Sequence, residues 1–252
     1  MNAHITCPNC KSRKQYKLSD GRRKCVSCKK RFSVSREKWK LTKKQIIEIV
    51  RLFWLLVPAE RVAEDLRINR KSVQRYYHKI RQKIAEEGDR VRPVFSGEIE
   101  VDESYFGGVQ KGKRGREAAG KVPVFGLLKR KGQVVVVIPD RVSKAILQGF
   151  IKEYVEPDSI VFSDSFRAYE NLDVEGFRHQ RIDHGVTFSN GKSHINGIEN
   201  FWGFAKQRLK IYHGGYKKNF YLFLKEMEFR FNNRNNKTVL KYLLHLLESG
   251  PV

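Results

Sequence analysis

SHINGIENFWGFAK, residues 193–206, has the pattern that begins an amphipathic helix. Apolar residues recur at helical spacing and predict one buried stripe. They are Ile198, Trp202, Ala205 and Leu209. Ser193 stands where an N-cap side chain would accept a hydrogen bond from the first turn. We therefore expect a helix that begins near residue 193 and packs on the core of the protein.

Two charged residues lie beside this stripe. Glu199 and Lys206 are two helical turns apart, so they lie on nearly the same line along the helix. They are too far apart for the ion pair that forms at a spacing of three or four residues. Gly203 leaves the surface between them open. This spacing suits a metal-binding carboxylate with a phosphate-contacting amine beyond it, and an ordinary solvent-exposed helix face is the alternative.

The chain of 252 residues is strongly basic, with a net charge of +24. Most of the excess lies in residues 1–95, which hold 26 of the 51 Lys and Arg residues and only 9 of the 27 Asp and Glu residues. Basic contacts to phosphate release counterions, so a polyanion such as DNA is the expected partner. The sequence has no apolar run of about 18 residues and no signal-peptide h-region. We therefore expect a cytoplasmic, nucleoid-associated protein rather than a membrane protein.

All four cysteines lie in the first 28 residues, in the pattern C-x2-C-x14-C-x2-C. They are Cys7, Cys10, Cys25 and Cys28. Two-residue gaps let both thiolates of a pair reach one ion, and four sulfurs complete the closed tetrahedron of a structural zinc site. Asp20 and Gly21 predict a hairpin turn between the pairs, which gives a zinc ribbon. Two disulfides are the alternative, although a cytosolic protein is an unusual host for them.

Residues 41–84 have helical periodicity and predict a helix-turn-helix. The apolar positions are Ile46, Ile47, Val50 and Phe53, then Val62, Ala63 and Leu66, then Val73, Tyr77, Ile80 and Ile84. Pro58 can open the second helix, and Asn69 can cap the third after a short turn. The third helix would present basic and polar side chains to the major groove of DNA. These are Arg70, Lys71, Gln74, Arg75 and His78. A helical bundle that serves only as a spacer is the alternative.

Beyond a linker the periodicity changes to that of an α/β domain with a mixed sheet. Strands are predicted at 98–105, 122–128, 133–138, 160–162 and 179–182. Helices are predicted at 143–154, from 165, at 220–231 and at 239–247, besides the helix that begins near 193. The expected division is a zinc ribbon at 1–38, a helix-turn-helix at 39–86, a linker at 87–96 and an α/β domain at 97–252.

Three acids lie in or next to these elements. Asp102 lies in the first strand of the α/β domain, Asp164 follows the fourth, and Glu199 lies in the later helix. Gathered acids raise one another's pKa, so such a cluster implies a divalent cation, and all-oxygen ligation favours Mg²⁺ or Mn²⁺. Two such ions support phosphodiester displacement. Other acids are also available: Asp140, Asp158, Asp173 and Asp183. Strand alternation places Glu103 opposite Asp102, so these two neighbours are not expected to reach one site.

Three motifs carry a resemblance to a known family. They are residues 101–108 (VDESYFGG), residues 163–169 (SDSFRAY) and residues 194–202 (HINGIENFW), with Lys206 and residues 231–234 (FNNR) following. Together with the ribbon and the helix-turn-helix, they make nearly the whole chain similar to bacterial insertion-sequence transposases of the DDE class, in the ISXO-type group with an N-terminal zinc ribbon.

The resemblance implies an RNase H-like catalytic core. Asp102, Asp164 and Glu199 would be its metal-binding triad, with Asn196 as an alternative third position, and Lys206 would contact terminal DNA. Residues next to these would have supporting or substrate-contacting roles: Glu103, His194 and Asn200. A basic loop at 107–121 would clamp DNA through Lys113, Arg114 and Arg116, a solvated hairpin extension being the alternative.

The activity that the resemblance implies is transposition. The front modules would bind the terminal inverted repeats of an insertion sequence. The core would then hydrolyse a phosphodiester at each end and join the 3′-hydroxyl to target DNA. Joining two ends implies a homodimer or a larger synaptic assembly. The alternatives are a DNA-binding regulator with an inactive RNase H-like scaffold and a structure-specific nuclease on the same fold.

Overall fold

A computed structural model describes residues 5–20, 22–32, 41–107, 121–164, 176–181 and 195–249. The chain divides into two compact units, Met1–Ile46 and Ile47–Val252. The predicted segment boundaries at 38, 86 and 96 stay predictions. Within the described residues, every helix is too short or too polar to cross a lipid bilayer.

The first unit contains a three-stranded antiparallel sheet in the order β1-β2-β3. Its strands are β1 (Gln15–Lys17), β2 (Arg23–Cys25) and β3 (Arg31–Phe32). β1 and β2 pair as the predicted hairpin, with Gln15 opposite Cys25 and Lys17 opposite Arg23. Short strands with few buried side chains give this sheet little apolar core.

Three helices follow: α1 (Lys43–Trp54), α2 (Ala59–Asp65) and α3 (Arg70–Arg90). Asn69 caps α3 as expected, because its side chain accepts a hydrogen bond from the backbone N–H of Lys71 at 2.8 Å. The stripe of α1 differs from the predicted one. Ile47 is exposed, and Ile49 takes its place among the buried residues with Val50 and Phe53.

A five-stranded mixed sheet forms the centre of the second unit, in the order β6-β5-β4-β7-β8. The strands are β4 (Glu98–Phe106), β5 (Val122–Lys129), β6 (Val134–Val137), β7 (Ile160–Ser163) and β8 (Arg178–Arg181). β4, β5 and β6 pair antiparallel, whereas β7 runs parallel to β4 and β8 parallel to β7. The sheet therefore has three antiparallel strands, with two parallel strands added on the β4 side. This is the arrangement of an RNase H-like sheet, and it confirms the expected fold class.

Helices cover both faces of this sheet. On one face lie α5 (Asn196–Lys210) and α6 (Phe220–Asn232), and on the other lies α4 (Lys144–Tyr154). The chain ends with α7 (Val239–Glu248). Each face has its own apolar cluster, one containing Phe106, Phe162 and Trp202, the other containing Val101, Leu127 and Ile151. The alternating side chains of β4 and β5 supply both clusters.

The helix predicted from residue 165 and the expected cap Ser193 lie outside the described residues. The structure begins α5 at Asn196, with Ile195 at the N-cap position and no hydrogen bond from its side chain. The expected start near residue 193 is therefore displaced by about three residues. A carboxylate from the sheet accepts a hydrogen bond from one backbone N–H of the first turn, that of Ile198, and it lies beside the candidate site.

Candidate functional site

The four cysteines converge in the first unit. Each can offer its sulfur to one group in which all ligand atoms lie within 4.8 Å of one another. All four are free thiols, and the closest sulfur pairs, Cys7 with Cys28 and Cys10 with Cys25, are 3.5 Å apart. That distance is far above the roughly 2.05 Å of a disulfide bond. It is close to the sulfur–sulfur separation of about 3.8 Å that follows from tetrahedral zinc–thiolate bonds.

The two cysteine pairs share one backbone geometry. The lysine after each pair, Lys11 or Lys29, has a positive φ of 58° or 59° and donates its N–H to the carbonyl of the first cysteine. In the second pair, a hydrogen bond from the backbone N–H of Cys28 lowers the pKa of the Cys25 thiol to about 6, which favours the thiolate. The group can therefore hold a zinc ion.

Asp102 and Asp164 meet because their strands are neighbours. β4 and β7 run parallel, and their pairing matches Glu100 with Phe162. Two residues further along each strand are Asp102 and Asp164, so adjacent parallel strands carry the two carboxylates to the same level. Their oxygens belong to one group within 4.8 Å. The structure thus brings together two of the three predicted acids.

Glu103 is the third member of this group, which corrects the expectation that Asp102 and Glu103 cannot reach one site. The pairing of β4 with β7 ends at Glu100 and Phe162. Beyond that pair, among the residues that the structure describes, no strand pairs with β4 on this side to separate its two faces. Carboxylates from both faces can therefore approach Asp164 around the strand edge.

Asp102 lies in an environment that disfavours its charge. Burial, reinforced by the charge of Asp164, raises the pKa of Asp102 to about 6. Glu199 raises it further, whereas a hydrogen bond from Trp202 lowers it. A divalent cation compensates clustered negative charge, and carboxylate oxygens are the ligands that Mg²⁺ and Mn²⁺ prefer. The acidic group can therefore hold such an ion.

Glu100 fixes the beginning of α5. This carboxylate is buried and accepts a hydrogen bond from the backbone N–H of Ile198 at 2.9 Å, in the first turn of the helix. Arg130 donates to its other oxygen at 3.0 Å. A Cβ at Gly197 would lie 2.7 Å from the Glu100 carboxylate, so only glycine leaves room for this contact. Glu100 shares the strand face of Asp102, and the sequence pattern alone assigns it no role.

Trp202 lies one turn further along α5, and its indole Nε1–H donates to Asp102 Oδ2 at 3.0 Å. The ring passes over Gly126, which pairs with Asp102 across β4 and β5. A Cβ at Gly126 would lie only 2.7 Å from the indole. We expected Trp202 only in the apolar stripe. The signal that marks its contact is a glycine inside a strand, which often indicates a close approach by another group.

Glu199 and Lys206 lie near Asp102 on the exposed surface of α5. Glu199 is outside the 4.8 Å group formed by the described carboxylates, although its charge acts on Asp102. The Lys206 ammonium lies 5.6 Å from the centre of the Phe106 ring. Partial desolvation lowers the pKa of Lys206, and Asp102 opposes that change. Gly203 lies between Glu199 and Lys206, and a Cβ added there would meet nothing within 4 Å. The helix surface between the two charged residues is therefore open, as predicted.

The structure describes some of the residues that are predicted to contact DNA. The outer face of α3 exposes Arg70, Lys71, Gln74 and Arg75, and His78 is half-buried. Arg70 also contacts Glu60 at 3.3 Å. Lys113, Arg114, Arg116 and His194 lie outside the described residues. Asn196 begins α5, and Asn200 is exposed on it.

The sequence profile of the ISXO2-like transposase domain matches residues 94–232, which is more than half of the chain. The chain belongs to this transposase family. The match extends from just before β4 to the end of α6, so it contains both faces of the sheet and the whole acidic group. The resemblance inferred from the three motifs is therefore confirmed at the level of the family.

Two curated relatives agree with this assignment. An uncharacterized transposase-like protein of Haemophilus influenzae is 43% identical over 122 residues, which is 48% of this chain and 99% of that relative. An uncharacterized protein in transposable element ISH50 of Halobacterium salinarum is 27% identical over 160 residues, which is 56% of this chain and 54% of that relative.

Solved structures of Mos1 are also similar to this ISXO2-like chain. The Mos1 strand transfer complex matches 82% of this chain and 79% of its own chain at 11% identity. The Mos1 transposase paired-end complex with left transposon end matches 82% and 81% at 12% identity. The TM-score is 0.27 in both cases, so the fold assignment rests on the strand order and on the family.

Proposed function

We propose that this transposase binds the terminal inverted repeats of an insertion sequence, cleaves a phosphodiester at each end and transfers the resulting 3′-end to target DNA. The observation that carries the proposal is the meeting of Asp102, within β4, and Asp164, just past the end of the neighbouring parallel strand β7, in the part of the chain that matches the family. Half-buried carboxylates that repel one another destabilise a protein, so their assembly favours a site kept for cation binding.

Asp102 and Asp164 would hold Mg²⁺ or Mn²⁺ together with Glu199. A divalent ion pair supplies activation of the attacking oxygen and stabilisation of the leaving oxygen in phosphodiester displacement. Glu199 lies on the exposed face of α5, and its charge acts on Asp102, which supports it as the third proposed ligand. Lys206 would place its ammonium on a phosphate of the terminal DNA, on the same helix and near Asp102.

The front of the chain would recognise DNA. The first turns of α3 expose Arg70, Lys71, Gln74 and Arg75, which can contact phosphates and base edges in the major groove. The high positive charge of residues 1–95 would add a salt-dependent, sequence-independent attraction. The cysteine site would fold the ribbon around zinc without taking part in the reaction.

A cleavage assay tests the catalytic part of the proposal. Purified protein is incubated with Mg²⁺ and labelled DNA that carries the element ends. Asp102→Ala, Asp164→Ala and Glu199→Ala are each expected to lower the cleavage rate at least about 100-fold, because each removes a ligand of the metal site. Asp140→Ala, which removes an exposed acid elsewhere, is the matched control and should retain the rate. Full cleavage by all three variants would refute the proposal.

The assay also separates the proposal from its alternatives. Specific binding of the ends without any cleavage would indicate a DNA-binding regulator. Cleavage without joining to a target plasmid would indicate a nuclease. Joined products with both ends inserted are the outcome expected of a transposase, and their formation from a complex of two or more chains would support the proposed synaptic assembly.

A further inference from the structure

We propose that Trp202 is a positioning residue for the metal-binding carboxylate Asp102, and that Gly126 is the position that makes this contact possible. The inference rests on the proposed function, because it assigns Trp202 a role in cation binding by Asp102. Two independent features of the structure carry it: a directed hydrogen bond and a close approach of the indole to the sheet.

The hydrogen bond is specific to tryptophan. Nε1–H is the only polar group of the indole, and it donates to Asp102 Oδ2 at 3.0 Å. Trp202 is only 5% exposed, so its N–H has little access to water as an alternative acceptor. The bond to one oxygen restricts rotation of the carboxylate about its Cβ–Cγ bond. Asp102 is thereby held in one orientation toward Asp164.

Packing keeps the indole in place. The Phe106 and Phe201 rings contact it at centroid distances of 6.0 Å and 5.0 Å. On the side of the sheet the ring lies against the backbone of Gly126, where a Cβ would be 2.7 Å away. Any other residue at position 126 would push the ring away from the strand and lengthen the bond to Asp102.

The helix and the strand bring Trp202 and Asp102 together in register. Ile198 meets Glu100, and four residues later Trp202 meets Asp102, which is two residues further along β4. Four helical residues rise about 6 Å, and two strand residues rise about 6.8 Å. The nearly equal rises let α5 run along β4 and make both contacts at once. Glu100 therefore fixes the height of Trp202.

The contact also holds one carboxylate oxygen of Asp102 in place from outside the proposed ligand set. A donor outside the ligand set that orients a ligand typically contributes about 10- to 100-fold to metal affinity or activity. Loss of the indole N–H should therefore weaken cation binding even when the fold is kept.

Trp202→Phe tests this by removing the N–H while keeping an aromatic ring. Mn²⁺ binding to the full-length, zinc-loaded protein is measured by titration calorimetry, and folding is checked by thermal unfolding. We expect about a 10-fold or larger loss of Mn²⁺ affinity. Trp54→Phe, the same substitution where the indole packs against Phe229, is the matched control and should leave Mn²⁺ affinity unchanged. Unchanged affinity in folded Trp202→Phe would overturn the inference.

Gly126→Ala provides a second variant that keeps the tryptophan. The added methyl group is expected to displace the indole and to weaken Mn²⁺ binding in the same direction. Wild-type affinity in folded Gly126→Ala would count against the role of Gly126.

Tryptophan fluorescence tests the inference without changing Trp202 or Gly126. With Trp39→Phe and Trp54→Phe combined, Trp202 is the single tryptophan of the chain. Paramagnetic Mn²⁺ bound at Asp102 should quench the fluorescence of Trp202. The midpoint of this quenching should equal the midpoint of the calorimetric titration, and Asp102→Asn should abolish the quenching. Binding of Mn²⁺ without quenching would overturn the inference. If Asp102→Asn binds Mn²⁺ normally, the proposed metal site itself fails, which distinguishes the two failures.

Discussion

The half-buried carboxylate of Asp102 is a proposed cation ligand, yet its charge destabilises the folded, metal-free protein at neutral pH. Asp102 is surrounded by buried atoms and by Asp164, which together raise its pKa to about 6 against about 3.9 for a free aspartate. The folded protein therefore binds a proton here more readily than the unfolded chain does. Above pH 6 the folded protein must hold Asp102 in its charged form. Below about pH 4 Asp102 is protonated in both the folded and the unfolded chain. The destabilisation is present at neutral pH and disappears as the pH falls through this window.

We expect Asp102→Asn to stabilise the metal-free core at pH 7.5. A difference of about two pKa units corresponds to at most about 3 kcal/mol, so an increase of about 1–3 kcal/mol in the free energy of unfolding is expected. At pH 4.5 the gain should be much smaller. Calorimetric unfolding in magnesium-free buffer with the zinc retained measures both values.

Asp140→Asn changes an exposed carboxylate and is expected to alter stability by less than about 0.5 kcal/mol at either pH. Added Mg²⁺ should stabilise the wild-type protein and not Asp102→Asn, because only a folded site with its carboxylate binds the ion. A variant less stable than the wild type at pH 7.5 would contradict the assigned cause.

At the scale of the element, α5 shows how two glycines in one helix can have different roles. Gly197 allows the carboxylate of Glu100 to reach the first turn, whereas Gly203 faces open space. Glycine inside a helix costs roughly 0.5–1 kcal/mol relative to alanine when nothing else depends on it. The same substitution at the two positions therefore separates helix propensity from tertiary contact.

Gly197→Ala is expected to destabilise the core by about 1–3 kcal/mol, because its methyl group would overlap the Glu100 carboxylate and approach Leu128 at 3.0 Å. Gly203→Ala, the matched control, should stabilise the core by about 0.5–1 kcal/mol. Thermal unfolding of both variants provides the comparison. Equal effects would show that the Glu100 contact does not limit the residue at 197.

The ribbon in the first unit depends on its cysteine site, because its strands are only two or three residues long. We expect about one zinc ion per chain by elemental analysis, and none after Cys25→Ser, which removes a buried ligand. A chelator should unfold the ribbon and leave the transition of the second unit in place, as calorimetry would show. A ribbon that stays folded without zinc would refute this prediction.

At the scale of the whole molecule, a buried ionic network joins two of the three helices of the predicted helix-turn-helix, α1 and α3, to helix α6 on the sheet of the second unit. Glu226 on α6 is fully buried and accepts from Arg81 of α3 at 2.6 Å and from Arg230 at 2.7 Å. Arg230 also donates to the carbonyls of Phe53 and Trp54 at the end of α1. The helix that exposes the predicted DNA contacts is thus held on the helix that covers the sheet.

Glu226→Gln is expected to destabilise the second unit by about 3–5 kcal/mol, because it leaves two buried guanidinium groups without their counter-charge. Glu64→Gln removes an exposed partner of Arg61 and should cost less than about 1 kcal/mol. Urea unfolding of both variants measures the difference. A cost for Glu226→Gln as small as that of the control would show that the network contributes little to holding the helices together.

The sequence by itself determined the elements of this protein, because periodicity, turn residues and cysteine spacing act over a few neighbouring residues. It predicted the five strands, the ribbon hairpin and the cap at Asn69. It also placed Asp102 within a predicted strand and Asp164 just past another, and the motifs around them carried the family resemblance.

Only the tertiary structure decided which side chains meet across those elements. Glu103 joins the acidic group because the pairing of β4 with β7 ends before it. Glu100 accepts a hydrogen bond in the first turn of α5 because the sheet delivers a carboxylate there. Trp202 reaches Asp102 because Gly126 lies beneath it. Each of these contacts joins residues on different strands or helices, and local sequence patterns carry no information about such distances.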